Sequence, residues 1–424
     1  MKNWKKVATV SSAVLAAVVL AACSSTSSNS SSTTTASSTS PKDVKGTVTL
    51  WVDTPQVAEF KPIVAAFEKE YPNVKVTLTQ SPTGSSNAKT DVSKDPSKAA
   101  DVFELPNDQL GQMASAGYAL PLSPDAQSAV KADNIQKAVD GVTTKGKDGS
   151  TAMYGYPFEE QAKILFYNKS KLTADDVKTW ETMTAKGKVA VTITDTVNGG
   201  QYTIVPQFIS NGVKLYGANG EDLSGSTFNT SEAKSVMAWI AKQKTNPGVV
   251  DSSTAAISQL QSGKVDAYLD GPWDSTNIKK ALGSNFAVAP YPTTDYGDGV
   301  KQMQSFVGIE AFAVNAQTKS QEASQALAEY ITSKDTQLTL WKDLGLVPVN
   351  SAAQKDSSVA NDPMASAMMK QVNFSTIMPS LPEMANMWNL AGPLIVGAYN
   401  GSIPASQYAA KLDAFNTAIA KSVN

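Results

Sequence analysis

From residue 47 onward the apolar positions change period in a regular order. Val48, Leu50 and Val52 alternate with polar or amphipathic neighbours, which predicts a half-buried strand over Thr47 to Val52. Phe60, Ile63, Val64, Phe67 and Tyr71 then recur at helical spacing, with Pro62 tolerated near the first turn and Pro72 ending the segment. Val74, Val76 and Leu78 return to alternation, and after a polar Lys- and Ser-rich stretch Val102 to Leu105 form another apolar run. Strand, helix, strand with further crossovers predicts an open, mainly parallel sheet. A second set follows Tyr167: Val189, Val191 and Ile193 alternate, an apolar helix covers Ile204 to Ile209, and a strand covers Val265 to Leu269. Two α/β lobes are therefore expected. Ligands bind at the carboxyl ends of strands in such sheets, which singles out Asp53 and residues 106–108, 198–202 and 271–273, all polar or aromatic stretches.

The first residues follow a different pattern. Lys2, Lys5 and Lys6 precede an uninterrupted apolar run from Ala13 to Ala22, shorter than the ~20 residues of a spanning helix. This predicts a secretory signal peptide over residues 1–22. Leu20-Ala21-Ala22-Cys23 holds the chain's single cysteine and resembles the lipobox of bacterial lipoproteins, which implies a lipidated Cys23 at the outer face of the cytoplasmic membrane. Residues 23–44 are expected to be this anchor and a tether, since residues 24–41 are nearly all Ser and Thr. A flexible chain of that length spans ~25 Å.

Composition narrows the chemistry. There is no histidine, and every basic residue is a lysine. That excludes a Ser-His-Asp hydrolase, a Cys-His protease and an ordinary zinc site. The missing arginine fork disfavours carboxylate and phosphate ligands, so a neutral ligand is expected. Of 36 basic and 38 acidic residues, three of the basic ones fall in the signal, so the processed chain carries 33 positive and 38 negative charges, net −5. Nucleic acid is not an expected partner. No nucleotide, EF-hand, CxxC or HExxH motif occurs, and no metal or cofactor is expected; Asp295, Gly297 and Asp298 read as a solvated turn.

Several segments together resemble the solute-binding proteins of ABC importers, specifically the maltose and maltodextrin-binding family. They are Tyr156-Pro157 with Leu165 to Lys169, then Lys178 to Glu181, Asp270 to Trp273 with Asn277-Ile278, Phe306-Val307-Gly308, and Ile377-Met378-Pro379 through Pro382, Met384 and Trp388. The resemblance implies a two-lobed, periplasmic-binding-protein-like α/β fold with a hinge and an interlobe ligand cleft. Its crossings would fall near residues 159–162, 306–312 and 359–364. The first lobe would comprise 45–159 plus 311–361, and the second 160–306 plus 364–424. It further implies a monomer that captures maltose, maltodextrin or another neutral oligosaccharide and delivers it to membrane permease subunits, without chemistry.

Residue by residue, Trp273 and Trp388 match family tryptophans that stack on sugar rings, Tyr202 a stacking aromatic, and Asp108 an aspartate that accepts from sugar hydroxyls. Gln161 stands where the family has a glutamate. Asp53 joins them by its place after the first strand; Glu160 and Glu310, at two crossings, are weaker ligand or hinge candidates, as are Gln56 and Gln109. The chain departs from the family at Gln56, where a lysine is usual, at Gln109 and Gly392, where arginines are, and at Leu105, where a tryptophan lines the cleft. Ligand length and linkage therefore stay open, with a raffinose-type sugar as the alternative within this class. Two other classes remain: a tethered glycosidase using carboxylates among Glu159, Glu160 and Asp108, and a surface adhesin for polymeric glycans.

Overall fold

The computed structural model describes residues 40–423, so the expected signal peptide, Cys23 and nearly all of the expected tether lie outside the described residues. The larger sheet contains β1 (Gly46–Val52), β2 (Val74–Gln80), β3 (Val102–Pro106), β6 (Tyr156–Ala162), β14 (Phe306–Val314) and β15 (Thr376–Ile377). The second has the order β11-β7-β10-β8-β9, with β7 (Ile164–Asn168), β8 (Val189–Val191), β9 (Val249–Asp251), β10 (Ala267–Asp270) and β11 (Phe286–Ala289). Two hairpins, β4 (Thr143–Lys145) with β5 (Thr151–Met153) and β12 (Thr293–Asp295) with β13 (Val300–Gln302), complete the strands of the described residues.

The opening alternation behaves as the pattern predicts. Val48, Leu50 and Val52 share a core with Phe60, Ile63 and Phe67 of the helix Val57–Glu70 and with Leu327 and Ile331 of the helix Gln321–Ile331. Pro62 lies inside the first of these helices, on its exposed side, because the 3-10 turn Thr54–Gln56 runs directly into it and moves the start upstream.

The expectation of a mainly parallel sheet needs correction. β1 pairs in parallel with β2 and β3, and β14 with β15, but β14 runs antiparallel to both β3 and β6. In the second sheet β7 is antiparallel to β10 and β11, while β8 is parallel to β10 and β9. The reversed strands are those by which the chain passes between sheets. A strand arriving from the other sheet has no crossover helix on its own sheet to return it in parallel.

β6 ends in the first sheet at Ala162 and β7 begins in the second at Ile164, so Lys163 alone separates them. The boundary expected at 159/160 falls inside β6, whose pairing with β14 continues to Ala162. The chain leaves the first sheet for the last time after β15, later than residues 359–364, because β15 adds to β14 at Phe306 and Val307. Along β7, Leu165 and Tyr167 face a core with Ile204, Val236, Ile395 and Phe415, whereas Ile164 and Phe166 join the core that continues under the first sheet through Met368 and Val372. Period-two alternation thus makes one strand serve both cores.

Candidate functional site

The carboxyl ends of the strands converge between the sheets. From the second sheet's side come three aromatic residues. Trp388 lies in the second turn of the helix Met384–Asn400, Tyr202 in the first turn of the helix Gly200–Ser210, and Trp273 in the 3-10 turn Pro272–Asp274 that follows β10. The Tyr202 ring stacks with Trp388 at 6.4 Å between centroids and 26° between planes, and meets Trp273 edge-on at 6.3 Å. Phe306, at the start of β14, closes the group against Tyr202 at 5.9 Å and Trp388 at 5.8 Å. Trp273 is 44% exposed, a large apolar surface left open beside its partners. Gly271 permits that pose, since a Cβ there would stand 2.2 Å from the indole ring.

From the first sheet's side come carboxylates and amides. Asp108 sits in the first turn of the helix Asn107–Ala116 directly after β3, and its Oδ2 accepts from Trp388 Nε1 at 2.8 Å across the cleft. Burial pushes its pKa up to about 6, with the indole bond pulling the other way. Asn107 anchors this helix: its Nδ2 donates to the Met378 carbonyl at 2.7 Å and its Oδ1 accepts from the Ile309 N–H at 3.1 Å. Asp53 follows β1 and accepts from the Ser85 N–H at 2.6 Å and hydroxyl at 2.9 Å.

Beneath Asp53, the Glu104 carboxylate on β3 accepts from the Asp53 N–H at 3.0 Å and from Gln56 Nε2 at 2.8 Å. Glu310 on β14 is paired in register with Glu159 on β6, and Gly308 with Gln161, so these residues share one face. Gln161 Nε2 donates to Glu159 Oε2 at 3.1 Å. Burial and neighbouring negative charge raise Glu104 and Glu310 well above the usual carboxylate range, and burial brings Glu159 to about 8. Glu310, Asp108 and Glu159 in turn raise the Tyr202 hydroxyl after burial has done so, which places the acidic face opposite the aromatic one. Among the described residues no group of three or more acidic side chains is arranged to hold a metal ion.

Residues 62–367 match the family of bacterial extracellular solute-binding proteins. The chain belongs to that family. It is 27% identical over 376 residues to the maltooligosaccharide ABC transporter solute-binding lipoprotein of Streptococcus pneumoniae, covering 84% of each chain. The maltodextrin-binding protein MdxE of Bacillus subtilis is 27% identical over 374 residues, covering 85% of this chain and 86% of that one. Among solved structures, the maltodextrin binding protein MalE1 from L. casei BL23, without ligand, is 55% identical with a TM-score of 0.82, and the match covers 89% of this chain and all (100%) of that one.

Against this binding-protein frame the expected residues separate. The structure brings Asp108, Gln161, Tyr202, Trp273, Trp388 and Glu310 to the cleft. Gln109 is held elsewhere: its amide spans the Lys89 N–H at 2.8 Å and the Ser86 carbonyl at 2.5 Å within the first lobe. Glu160 points to the opposite face of β6 from Glu159 and accepts from Gln354 at 3.0 Å. Leu105 is fully buried in the core. Gly392 has no room for a long side chain in this packing, since its Cβ would lie 2.9 Å from Thr196 and 3.3 Å from Gln201.

Sequence reasoning missed Glu104 and the buried pair Lys163–Asp270, 3.6 Å apart. Lys163 also donates to Thr203 Oγ1 at 3.1 Å, at the one-residue crossing between sheets. A lone lysine between the apolar residues Ala162 and Ile164 was the available signal. Asp295 accepts from the N–H groups of Gly297 and Gly299, as a solvated turn would.

Proposed function

We propose that this chain is the lipid-anchored substrate-binding component of an ABC sugar importer, capturing a maltooligosaccharide between its lobes and presenting it to membrane permease subunits. The observation that carries this reading is the opposition across the cleft of Tyr202, Trp273 and Trp388 to Asp108 and Gln161, with the buried glutamates behind them. A pyranose has the matching two-sidedness: a C–H face that leaves water against an aromatic plane, and a rim of hydroxyls for carboxyl and amide partners. Burying ~100 Å² of that face at ~25 cal/mol/Å² contributes ~2.5 kcal/mol. A neutral ligand fits a cleft without arginine, and the names of the relatives point to the same sugar class. A sugar touching both faces stabilises the closed arrangement of the lobes by its preference for it.

A glycosidase reading has less support. Glu159 and Glu160 lie on opposite faces of β6 and cannot flank one bond. Anchoring through Cys23 rests on Leu20-Ala21-Ala22-Cys23 and on the lipoprotein relatives. If Cys23→Ala protein stays membrane-bound after a salt wash, the anchor lies elsewhere. The test of ligand class is calorimetry with maltose, maltotriose, longer maltodextrins, raffinose and cellobiose. Saturable binding of the α-1,4-linked members is expected. Preference for raffinose or cellobiose would replace the sugar, and turnover of a chromogenic glycoside would replace the class.

A further inference from the structure

The first sheet hands the chain to the second through a single residue, and that residue is charged. Lys163 lies between β6 and β7 with apolar neighbours on both sides, and at 4% exposure it is the only buried lysine among the described residues. Its Nζ stands 3.6 Å from Asp270 Oδ1, the one ion pair among the described residues with both side chains buried. The same Nζ donates to Thr203 Oγ1 at 3.1 Å. Both partners lead into the aromatic wall. Asp270 ends β10, and only Gly271 and Pro272 separate it from Trp273; the ammonium is drawn as well to Asp274, directly after that indole. Thr203 follows Tyr202, and its hydroxyl donates in turn to the Gly199 carbonyl at 3.1 Å, at the start of the helix Gly200–Ser210. One ammonium is thus shared by the two elements whose rings meet edge-on at 6.3 Å. Its main chain is pinned too. The Lys163 N–H donates to Ser305 Oγ at 2.9 Å, just before β14, and the Ser305 N–H donates to Ser375 Oγ at 3.1 Å, just before β15.

We propose that Lys163 is a positioning residue for sugar binding: held where the chain crosses between sheets, its ammonium clamps the turn of Trp273 to the first turn of the Tyr202 helix and so sets the aromatic surface that a sugar ring covers. The inference rests on the sugar-binding reading above. Buried as it is, Lys163 acts through Asp270 and Thr203 and not by contact with the sugar. Taking two charges out of water costs about as much as their attraction returns, and apolar side chains of similar volume would pack as well, so what the pair adds is the geometry it enforces.

Calorimetry with maltotriose on combined variants tests this. Lys163→Met alone leaves Asp270 buried without its cation, so the informative protein is Lys163→Met with Asp270→Asn, which removes both charges at nearly constant volume. It should melt within a few degrees of wild type and bind maltotriose about tenfold more weakly. Trp273→Ala, which alone costs about tenfold, should cost no more than about twofold further in that background, because residues that act through one ring do not give independent losses. Near-ultraviolet circular dichroism without sugar should change in the bands that Trp273→Ala also removes, as the edge-on contact with Tyr202 loosens. Thr203→Val keeps the ion pair, removes the hydroxyl that links Lys163 to the Tyr202 helix, and should weaken binding about threefold. Wild-type affinity or unchanged aromatic bands in the charge-free protein would overturn the inference and leave the sugar reading standing. So would losses that multiply to about a hundredfold when Trp273→Ala is added. If the charge-free protein does not fold, Thr203→Val decides, and wild-type affinity in it overturns the inference. Wild-type protein that binds neither maltotriose nor longer maltodextrins would overturn the sugar reading, and this inference with it.

Discussion

The two walls of the cleft are built by different means. On the first lobe, Glu104, Glu159, Gln161 and Glu310 project from adjacent strands, so their spacing is set by backbone pairing; the three glutamates are buried and Gln161 is half-buried. On the second, Tyr202, Trp273 and Trp388 stand on first or second helical turns and a 3-10 turn, held mainly by ring contacts with one another. The sheet-borne wall fixes where a hydroxyl must lie. The aromatic wall offers apolar surface with little directional demand. On the proposed sugar-binding reading, orientation and affinity thus belong to opposite lobes, joined by the Trp388–Asp108 bond at 2.8 Å.

The largest expected difference between the walls is in stability against pH. A carboxyl whose folded value is raised favours the folded state fully below its unfolded value, near 4.5, and loses that contribution as pH rises through the folded value. Glu159 and Glu160 both stand near 8, and Glu104 and Glu310 are raised well above normal. The window is therefore about pH 4.5 to 8, across which the polar wall should lose on the order of a few kcal/mol. Denaturant melts should show higher stability at pH 5 than at pH 8, and Glu159→Gln should flatten that slope. A melt that strengthens steadily from pH 5 to 8 would contradict it.

Next in size is the aromatic wall. Trp388→Ala removes a stacked ring and the donor to Asp108, and should weaken sugar binding by about 1 to 3 kcal/mol, roughly 5- to 150-fold. Trp273→Ala should cost a comparable amount, because the ring is 44% exposed and so leaves apolar surface for the sugar to cover. Asp108→Asn should weaken binding by about 1 kcal/mol, since charge-assisted bonds become ordinary ones. Titration calorimetry ranks the three. If Asp108→Asn proves the most damaging, affinity resides in the polar wall and the comparison is reversed.

The two walls also differ in how far they were legible. Local periodicity sufficed for β1, the helix after it and the strand ends that supply Asp53 and Asp108. Trp273 and Trp388 were visible through the segments around them. Glu104 was not, because it sits inside the apolar run Val102 to Leu105 and reads as part of a core strand. Its grouping with Glu159 and Glu310 depends on β14 returning antiparallel beside β3 from about 200 residues away, a register no local pattern carries. The same long return made the sheets mixed instead of mainly parallel. Gln109 shows the converse error: a position chosen by correspondence alone has its amide consumed by Ser86 and Lys89.

The smallest expected effect is the response to salt, and it tests the charge of the ligand. If the ligand is a neutral sugar, no ion pair is made or broken on binding, and affinity at pH 7 should change by less than about twofold between low and high ionic strength. An anionic ligand would meet Asp53 and Asp108 with no arginine to receive it, and the lysines that held it would lose their grip as salt rises. A cationic amino sugar would be drawn to the acidic wall and also weaken with salt. Titrations of maltotriose beside an acidic and an amino sugar at two salt concentrations therefore separate the three cases. A steep salt dependence of the sugar that binds best would mean that the ligand is charged and that the cleft was matched to the wrong class.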